Sequence, residues 1–302
     1  MISKINTIIR LRINSYGEGV RTVVFFHGCP LSCVWCCNPE TRFGNLYKQI
    51  SVDELYDLIS RDQIYFEMSG GGVTFSGGEP LLYSDFVEQF MMKYGNGFNA
   101  NIETSLCSDF ENAEKLIPYI NEWYIDFKCA DENMQKKYTG LSNAKIRDNI
   151  KKLSEFVGHN QIIITYPILT GVNDSVDNVI QMIEFMKECG LDKVELHPYR
   201  KNSEKKYEKL NLEHNGIASL PNETVFRIKR LLCENGINII ERNVRQERQK
   251  CDYLKDIRRK YCAANEIPLK IDECNFKERC TGTCPKCESE LDFINERRMK
   301  NA

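Results

Sequence analysis

Short apolar runs of the kind that form buried strands alternate along this chain with longer stretches whose apolar residues recur at helical spacing. The strand candidates are residues 22–26, 73–76, 99–103, 123–127, 162–167 and 193–197. Six strand–helix units in succession predict a parallel sheet with right-handed crossovers. Six is two fewer than a closed eight-stranded barrel has, so we predict an α/β fold, a partial (β/α)6 TIM-like barrel.

The stretches between the strands carry helix signals. Ser51 followed by Glu54 is a capping-box pattern, and residues 84–94, 144–156 and 175–189 repeat apolar side chains at helical spacing. The turns that follow the strands would then gather at one rim, where such barrels place their chemistry.

The character of the chain changes beyond about residue 240. Residues 241–260 are densely charged, and the region after them is rich in cysteine and poor in strand signals. We therefore predict a barrel domain over residues 1–243 and a small C-terminal cysteine-rich, metal-binding extension over residues 244–302, here called the tail. Residues 268–291 hold few apolar side chains, so we expect a loop-rich stretch whose order depends on bound metal.

Composition excludes some classes of partner. The 302 residues include 41 basic and 43 acidic side chains, a formal net charge of −2, so no surface is obviously built to neutralise phosphates and we expect no nucleic-acid partner. Residues 1–21 lack the apolar core of a signal peptide, and no window approaches the roughly 18 apolar residues of a membrane helix. We expect a cytoplasmic protein with no membrane partner.

The cysteines are clustered at ligand spacing. Of fourteen, four lie between Cys29 and Cys37 and six between Cys251 and Cys287. In the first cluster, Cys29, Cys33 and Cys36 have the spacing C-x3-C-x2-C, which can wrap a cubane whose fourth iron has no protein ligand. The alternative is a tetrahedral zinc site with Cys37 as the fourth ligand, for which adjacent cysteines are poorly suited.

The spacing of Cys29, Cys33 and Cys36 resembles the defining motif of the radical S-adenosylmethionine (SAM) superfamily, with Trp35 as the usual aromatic residue before the third cysteine. The resemblance implies that these cysteines hold a [4Fe-4S] cluster on which SAM chelates the open iron. One electron, from a flavodoxin- or ferredoxin-type donor, then cleaves SAM to methionine and a 5′-deoxyadenosyl radical, which abstracts a hydrogen atom.

The turn Gly77-Gly78-Glu79, directly after a predicted strand, resembles the Gly-Gly-Glu element with which this superfamily binds the SAM amino group. Glycines at this point let the backbone approach a ligand closely. Alone such a turn is an ordinary loop; about forty residues after the cysteine motif, it strengthens the resemblance.

Residues 5 to 210 resemble one branch of that superfamily, the activating enzymes of glycyl radical enzymes. The matching segments are YGEGVRT at 16–22, WCCNPE at 35–40 (which includes Asn38), DFK at 126–128, YTG with Asn143 at 138–143 and GVND at 171–174. The branch usually has arginine where Thr165 stands and histidine where Arg200 stands.

The branch resemblance implies further SAM contacts. Asp126 and Lys128 would hold the SAM carboxylate. Without the resemblance, the two residues would be interpreted as a solvated ion pair. Glu103 and Thr104 would lie near the ribose and a monovalent cation, although Glu103 could be a plain surface carboxylate. Polar side chains that end the sixth strand, His197 and Arg200, would face the site.

The tail carries Cys274, Cys280, Cys284 and Cys287, whose spacing resembles part of the SPASM or twitch auxiliary-cluster domains of peptide and protein maturases. An auxiliary [4Fe-4S] cluster and a structural zinc both fit four thiols.

The expected substrate depends on whether the resemblance to the activating enzymes or the resemblance of the tail to the maturases indicates the function. The main interpretation is an oxidoreductase that activates a glycyl radical enzyme by taking hydrogen from a glycine Cα of a partner protein. The alternative is maturation of a ribosomal peptide or protein. A third class, an inactive iron–sulfur or zinc module, is disfavoured by the complete Gly-Gly-Glu element.

Overall fold

The computed structural model describes residues 1–13, 16–200, 203–213, 217–241, 247–271 and 282–301. The strands are β1 Ile2–Ile13, β2 Val20–Phe26, β3 Lys48–Ser51, β4 Gly72–Gly77, β5 Asn99–Thr104, β6 Glu122–Asp126, β7 Ile162–Ile168, β8 Lys193–Pro198 and β9 Asn238–Ile239. The helices are α1 Val52–Ser60, α2 Gln63–Ser69, α3 Ser84–Tyr94, α4 Glu111–Glu114, α5 Glu132–Thr139, α6 Ala144–Phe156, α7 Val176–Glu188, α8 Glu204–Lys209, α9 Asn222–Glu234, α10 Glu247–Ala264 and α11 Pro285–Asn301.

The strands of the described residues form one sheet in the order β3-β1-β2-β4-β5-β6-β7-β8-β9. Neighbours from β2 to β9 run parallel, and β1 runs antiparallel to both β2 and β3. All six predicted strands are present, as β2, β4, β5, β6, β7 and β8. The α/β fold with a mostly parallel, barrel-like sheet is therefore confirmed.

The predicted helices are also present, and the first begins as expected. Ser51 Oγ accepts a hydrogen bond from the Glu54 N–H at 3.2 Å, and the Ser51 N–H donates to the Glu54 carboxylate at 2.7 Å. This reciprocal pair satisfies two backbone donors at the start of α1. The predicted helices at 84–94, 144–156 and 175–189 correspond to α3, α6 and α7.

Three strands were not predicted, β1, β3 and β9, and β1 is the longest of them. Residues 9–13 alternate apolar and basic side chains, which is the period of a half-buried strand. Leu11 has a φ of 57°, and the pairing of β1 with β2 shifts register between Ile9 and Arg12. Residues 2–8 do not alternate in this way, so the sequence pattern covers less than half of the strand.

One face of the sheet is apolar and packs against the helices. Phe75 of β4 and Ile125 of β6 belong to one buried cluster with Phe86 of α3 and Val179 of α7. Because successive side chains of a strand point to opposite faces, their polar neighbours in the strands face inward. The parallel strands end together at one rim, to which these inner side chains belong.

The tail packs at the other end of the sheet. Leu254 of α10 and Leu291 of α11 share an apolar cluster with Leu11 of β1 and Val20, the first residue of β2. Since β2 extends from Val20 to the rim, roughly 20 Å of strand separates this packing from the rim. The tail therefore contacts the barrel away from the site end.

Ion pairs reinforce the packing of the tail. Arg10 of β1 binds the buried Asp62 at 2.6 Å and Glu288 of α11 at 3.1 Å. The contact between the tail and the barrel is here called the tail seam. Within it, the buried Arg258 binds Glu290 at 2.9 Å and the Tyr65 hydroxyl at 2.6 Å. The expectation of a loop-rich stretch is wrong for residues 285–291, which are helical and reach the buried Leu291.

The boundary near residue 243 stays a prediction. Among the described residues, no helix is long and apolar enough to cross a membrane.

Candidate active site

The segment that follows β2, residues 27–42, forms a closed loop at the rim, here called the cysteine loop. Gly28 has a φ of 100°, and its N–H donates to the Thr41 carbonyl at 2.6 Å. A positive φ at this point suits glycine and lets the chain turn out of the strand. The two ends of the loop therefore meet at Gly28 and Thr41, and the cysteines lie between them.

The C-terminus of α5 holds the middle of the cysteine loop. The Ser32 N–H donates to the Thr139 carbonyl at 2.7 Å, and the Val34 N–H donates to the Tyr138 carbonyl at 3.1 Å. Gly140 ends α5 with a φ of 85°, and a Cβ there would lie 2.3 Å from Ser32 Oγ. The Tyr-Thr-Gly segment thus supports the loop instead of facing the inner site.

The thiols of Cys29, Cys33 and Cys36 lie close enough to influence one another's charge. Burial raises the pKa of Cys33 to about 12, while the Lys128 ammonium opposes that rise. Burial also raises the pKa values of Cys29 and Cys36, whose sulfurs accept hydrogen bonds from the backbone N–H groups of Leu31 and Asn38. Backbone N–H groups and a nearby cation stabilise thiolates once a metal replaces their protons.

The chemistry of this donor set, three thiols on one loop, suits a cluster. Within the described ranges, no three His, Cys, Asp or Glu side chains are arranged to hold one metal ion. The thiolates of a cubane each bind a different iron, so they need not converge on one point. Cys37 is exposed and its sulfur is 4.0 Å from the Trp35 carbonyl oxygen.

The Gly-Gly-Glu turn contacts the start of the cysteine loop. The Gly78 N–H donates to the Phe26 carbonyl at 3.0 Å, and the Glu79 N–H donates to the Gly28 carbonyl at 2.8 Å. A Cβ on Gly78 would lie 1.9 Å from the Gly28 oxygen, and Gly77 has a φ of 117°. Only glycines allow the two backbones this approach.

Glu79 is fully buried, and both of its carboxylate oxygens are used inside the protein. Thr104 Oγ1 donates to it at 2.5 Å, the Ser105 hydroxyl at 2.6 Å, the Ser105 N–H at 2.9 Å and the Leu81 N–H at 3.1 Å. Thr104 thus belongs to the same hydrogen-bond network as Glu79. The predicted contacts of Gly77, Gly78, Glu79 and Thr104 with SAM stay predictions.

A set of polar side chains from neighbouring strands lines the inner face at the rim. Ser76 of β4 donates to Glu103 of β5, and Thr165 of β7 donates to Asp126 of β6 at 2.7 Å. Burial and the nearby Asp126 raise the pKa of Glu103 to about 8. This shift favours the neutral form of the Glu103 carboxyl group and so lowers the negative charge of this face.

Asp126 and Lys128 form an ion pair of 2.7 Å at the end of β6, and both remain partly exposed. Burial opposes both charges, yet the Lys128 ammonium holds the pKa of Asp126 below its usual value and Asp126 raises that of Lys128. Asn173 donates to the Lys128 carbonyl at 2.8 Å and so fixes the strand end. Both charges are kept where a polar ligand can reach them.

The remaining predicted contacts differ in exposure. His197 is half exposed, and its Nε2 lies 3.5 Å from the Glu195 carboxylate. It is also close enough to Asp126 to lower the pKa of Asp126. Arg200 is exposed beyond the end of β8. Trp35, within the cysteine loop, is buried in one apolar cluster with Leu169.

Lys206 of α8 is a residue that sequence reasoning missed. Its ammonium donates to the Cys37 carbonyl and to Asn38 Oδ1, each at 2.9 Å, and binds Glu40 at 2.6 Å. Helix α8 is thereby tied to the loop, and the predicted site residue Asn38 is already partnered. Nothing local in the sequence indicates this contact, because the partners are more than 160 residues apart.

The tail cysteines fall partly within the described residues. Cys274 and Cys280 lie outside them. Cys284 precedes α11, and the buried Cys287 is hydrogen-bonded to the Cys284 side chain and receives an N–H of Arg258 at 3.5 Å. This pair belongs to the tail seam, at the opposite end of the barrel from the cysteine loop.

Comparison with known proteins identifies relatives. Residues 23–186 match the family model of the radical SAM superfamily. The chain is 31% identical over 284 residues to a trans-4-hydroxy-L-proline dehydratase activating enzyme of Clostridioides difficile, covering 74% of this chain and 93% of that one. It is 35% identical over 200 residues to a pyruvate formate-lyase-activating enzyme of Clostridium pasteurianum, covering 66% and 83%.

Among solved structures, a radical SAM methyltransferase of Sphaerobacter thermophilus superposes with a TM-score of 0.54 at 17% identity, covering 73% of this chain and 65% of that one. At this identity the likeness supports the fold alone.

The close approach of Gly78 to Gly28 generates a prediction. Gly78→Ala should prevent the cysteine loop from closing, since a contact of 1.9 Å must displace backbone, a disturbance of the size that costs more than about 4 kcal/mol. After anaerobic reconstitution the variant should hold far less iron per chain than the parent, by colorimetric assay. The matched control is Gly97→Ala, where a Cβ meets only the Gln63 side chain at 3.4 Å. Equal iron in all three proteins would contradict the proposed closure.

Proposed function

We propose that this chain, which belongs to the radical SAM superfamily, activates a glycyl radical enzyme by abstracting a hydrogen atom from a glycine Cα of that partner. The main support for this activity is that a loop with three thiols lies beside a polar inner face at the rim of the barrel. The two curated relatives described above are both named as activating enzymes of other enzymes. On this proposal the protein is an oxidoreductase whose substrate is a protein.

The superfamily implies a [4Fe-4S] cluster and SAM, and the described residues suit both. Cys29, Cys33 and Cys36 would hold the cluster, with backbone N–H groups and the Lys128 charge supporting their thiolates. When bound, the cluster and SAM together supply a one-electron cleavage that yields a 5′-deoxyadenosyl radical.

The inner face would bind and orient SAM. Lys128 is a cation partly exposed next to the cysteine loop, so it would attract the SAM carboxylate, while Asp126 would attract its amino group. The backbone of Gly77 and Gly78 would approach the methionine moiety, and Glu103, which accepts a hydrogen bond from Ser76 on the inner face, would meet the ribose. His197 and Arg200, both exposed at the end of β8, would face the incoming polypeptide.

The geometry of the tail favours activation over maturation. A cluster that binds or oxidises a peptide substrate must stand near the radical. Cys287 instead contacts the buried Arg258 of α10, and α10 and α11 pack on Val20 and Leu11, away from the rim. The tail is better suited to stabilise the barrel than to meet the substrate.

The test of the function is radical transfer. Reconstituted protein, reductant and SAM, mixed without air with a glycyl radical enzyme of the same organism, should produce a glycyl radical visible by electron paramagnetic resonance. Cys36→Ala should abolish both this signal and 5′-deoxyadenosine formation, because three ligands are the minimum that leaves one iron open. Cys37→Ala should keep most of both. A dead Cys37→Ala with an active Cys36→Ala would overturn the ligand assignment, and SAM cleavage without any glycyl radical would overturn the activation proposal.

The ion pair generates a second prediction. Asp126→Asn and Lys128→Met should each weaken SAM binding roughly ten- to a hundred-fold, the value of one charge-assisted hydrogen bond of about 1.5–3 kcal/mol. Equilibrium dialysis with labelled SAM on reconstituted protein measures this, with iron content unchanged. The control pair is Asp148→Asn and Lys152→Met, an exposed ion pair of 2.8 Å on α6. If the Asp126 and Lys128 variants bound SAM as tightly as the control variants, the two residues would be a solvated surface ion pair with no role in SAM binding.

For the tail, residues 244–302, we propose a metal site of its own on Cys274, Cys280, Cys284 and Cys287, of the auxiliary [4Fe-4S] or zinc type. The supporting observation is that Cys284 and Cys287 are hydrogen-bonded to each other at the start of α11 beside the buried Arg258. An N–H donor to a thiolate sulfur is the usual outer partner of such ligands.

Metal analysis of a variant lacking Cys29, Cys33 and Cys36 tests the tail. It should retain metal, either about four irons with matching sulfide or one zinc per chain. Removing Cys284 and Cys287 as well should release that metal. A folded tail without either metal would contradict the proposal.

A further inference from the structure

The segment that joins β1 to β2 enters the space enclosed by the inner face of the sheet, here called the lumen. Thr74 Oγ1 of β4 donates to the Tyr16 carbonyl at 2.7 Å. A Cβ on Gly17 would lie 2.3 Å from Asn101 Nδ2 of β5. Asn101 precedes Glu103 by two residues of the strand, so both belong to the inner face. The backbone of Tyr16 therefore lies inside the barrel, roughly 7 Å of strand below Glu103.

The Tyr16 ring extends from this position toward the rim. Its centroid lies 6.0 Å from that of the Phe25 ring, with the two planes at 84°. The neighbouring Phe26 belongs to the helix-facing cluster, so Phe25 faces the lumen. Phe25 is paired in register with Ser76, whose hydroxyl donates to Glu103. The Tyr16 ring thus reaches the level of the polar side chains that line the inner face.

The backbone of Tyr16 adopts a strained conformation. Its φ is 62°, in the left-handed region that bulky side chains rarely adopt. The contact of its carbonyl with Thr74 and the edge-on contact of its ring with Phe25 hold it there, and the Arg12 guanidinium of β1 lies over the ring at 5.8 Å. Strain of this kind persists where the surrounding structure enforces it, and it clusters at ligand-binding and active sites.

The Tyr16 hydroxyl lies within electrostatic reach of both halves of the site. Burial, followed by the Glu103 carboxyl group, raises the pKa of Tyr16, and Cys37 of the cysteine loop and Asp126 add to that rise. The hydroxyl therefore keeps its proton at neutral pH and is a hydrogen-bond donor.

This donor is available to a ligand. The Tyr16 side chain is partly exposed, and within the described ranges its hydroxyl has no hydrogen-bond partner. Glu103 accepts from Ser76 through one carboxylate oxygen, which leaves the other for a second partner. A phenol donor and a carboxyl acceptor thus lie close together on the inner face.

We propose that Tyr16 is a further ligand-binding residue of the inner site, whose hydroxyl donates a hydrogen bond to the ribose of SAM beside Glu103. The inference deepens the proposed function, from which it takes SAM as the ligand. The two adjacent ribose hydroxyls can serve one as donor and the other as acceptor, which matches Glu103 and Tyr16 respectively. The ion pair of Asp126 and Lys128, on the next strand, remains for the charged methionine end.

The experiment uses the full chain, reconstituted without air, and equilibrium dialysis with labelled SAM. Tyr16→Phe keeps the ring, and with it the contacts to Phe25 and Arg12, but removes the hydroxyl. SAM affinity should fall about three- to tenfold, the range for one hydrogen bond, with iron content and thermal unfolding unchanged. The matched control is Tyr124→Phe on the inner face of β6, whose hydroxyl donates to Glu122 at 2.7 Å, and it should leave SAM affinity unchanged.

Competition with SAM analogues that lack the 2′ or the 3′ hydroxyl separates ribose binding from a structural role. The parent protein should bind one of the two analogues about three- to tenfold more weakly than SAM. Tyr16→Phe should cause no further loss with that analogue, because the hydrogen bond is already absent.

Three results would overturn the proposal. Tyr16→Phe might bind SAM as tightly as the parent protein, which would leave the hydroxyl without a role in SAM binding. An equal loss for SAM and for both analogues would show that the substitution acts through the fold. Normal SAM binding with loss of glycyl radical formation would assign Tyr16 to the partner polypeptide. Because SAM binding is measured without the partner protein, a failure here leaves the activation proposal to its own test.

Discussion

A buried carboxylate ties together the strand ends on which the site depends. Glu79 follows β4, and its four hydrogen bonds include three from Thr104 and Ser105 at the end of β5. Burial raises the pKa of Glu79, and these donors oppose that rise. Because a buried carboxyl group needs such partners, this turn and the end of β5 must meet. The same turn places Gly78 on Gly28, where the cysteine loop begins. The loop is therefore positioned against the inner face by an interaction that no ligand needs to make.

The two groups of cysteines lie at opposite ends of the barrel, one in the cysteine loop at the rim and one in the tail. At the rim, helix α5 and Lys206 hold the cysteine loop by its backbone, which leaves Cys29, Cys33 and Cys36 available to metal. At the opposite end, the tail is fixed by an apolar seam and by the buried Arg258. Packing the tail there covers apolar side chains of β1 and α2 and leaves the rim open for partner proteins.

Local patterns in the sequence predicted the fold well. The six parallel strands follow from apolar runs, and the cysteine loop and the Gly-Gly turn follow from spacing, because each signal lies within a few neighbouring residues. The contact of Lys206 with Asn38, the inward direction of Glu79 and the seam between Leu254 and Leu11 could not be predicted. Each depends on which distant elements meet, which one sequence does not encode locally. Strand β1 was missed because only residues 9–13 of its twelve alternate apolar and polar side chains.

The central claim is that the loop leaves one iron open beside Lys128 and Asp126. Electron-nuclear double resonance on the reduced cluster, with SAM carrying ¹⁷O in its carboxylate and ¹⁵N in its amino group, tests this directly. The account predicts hyperfine couplings from both labels, which show that the carboxylate and the amino group bind the same iron. A reduced cluster that shows neither coupling with SAM bound would contradict the account, because the fourth iron would then be closed to the ligand.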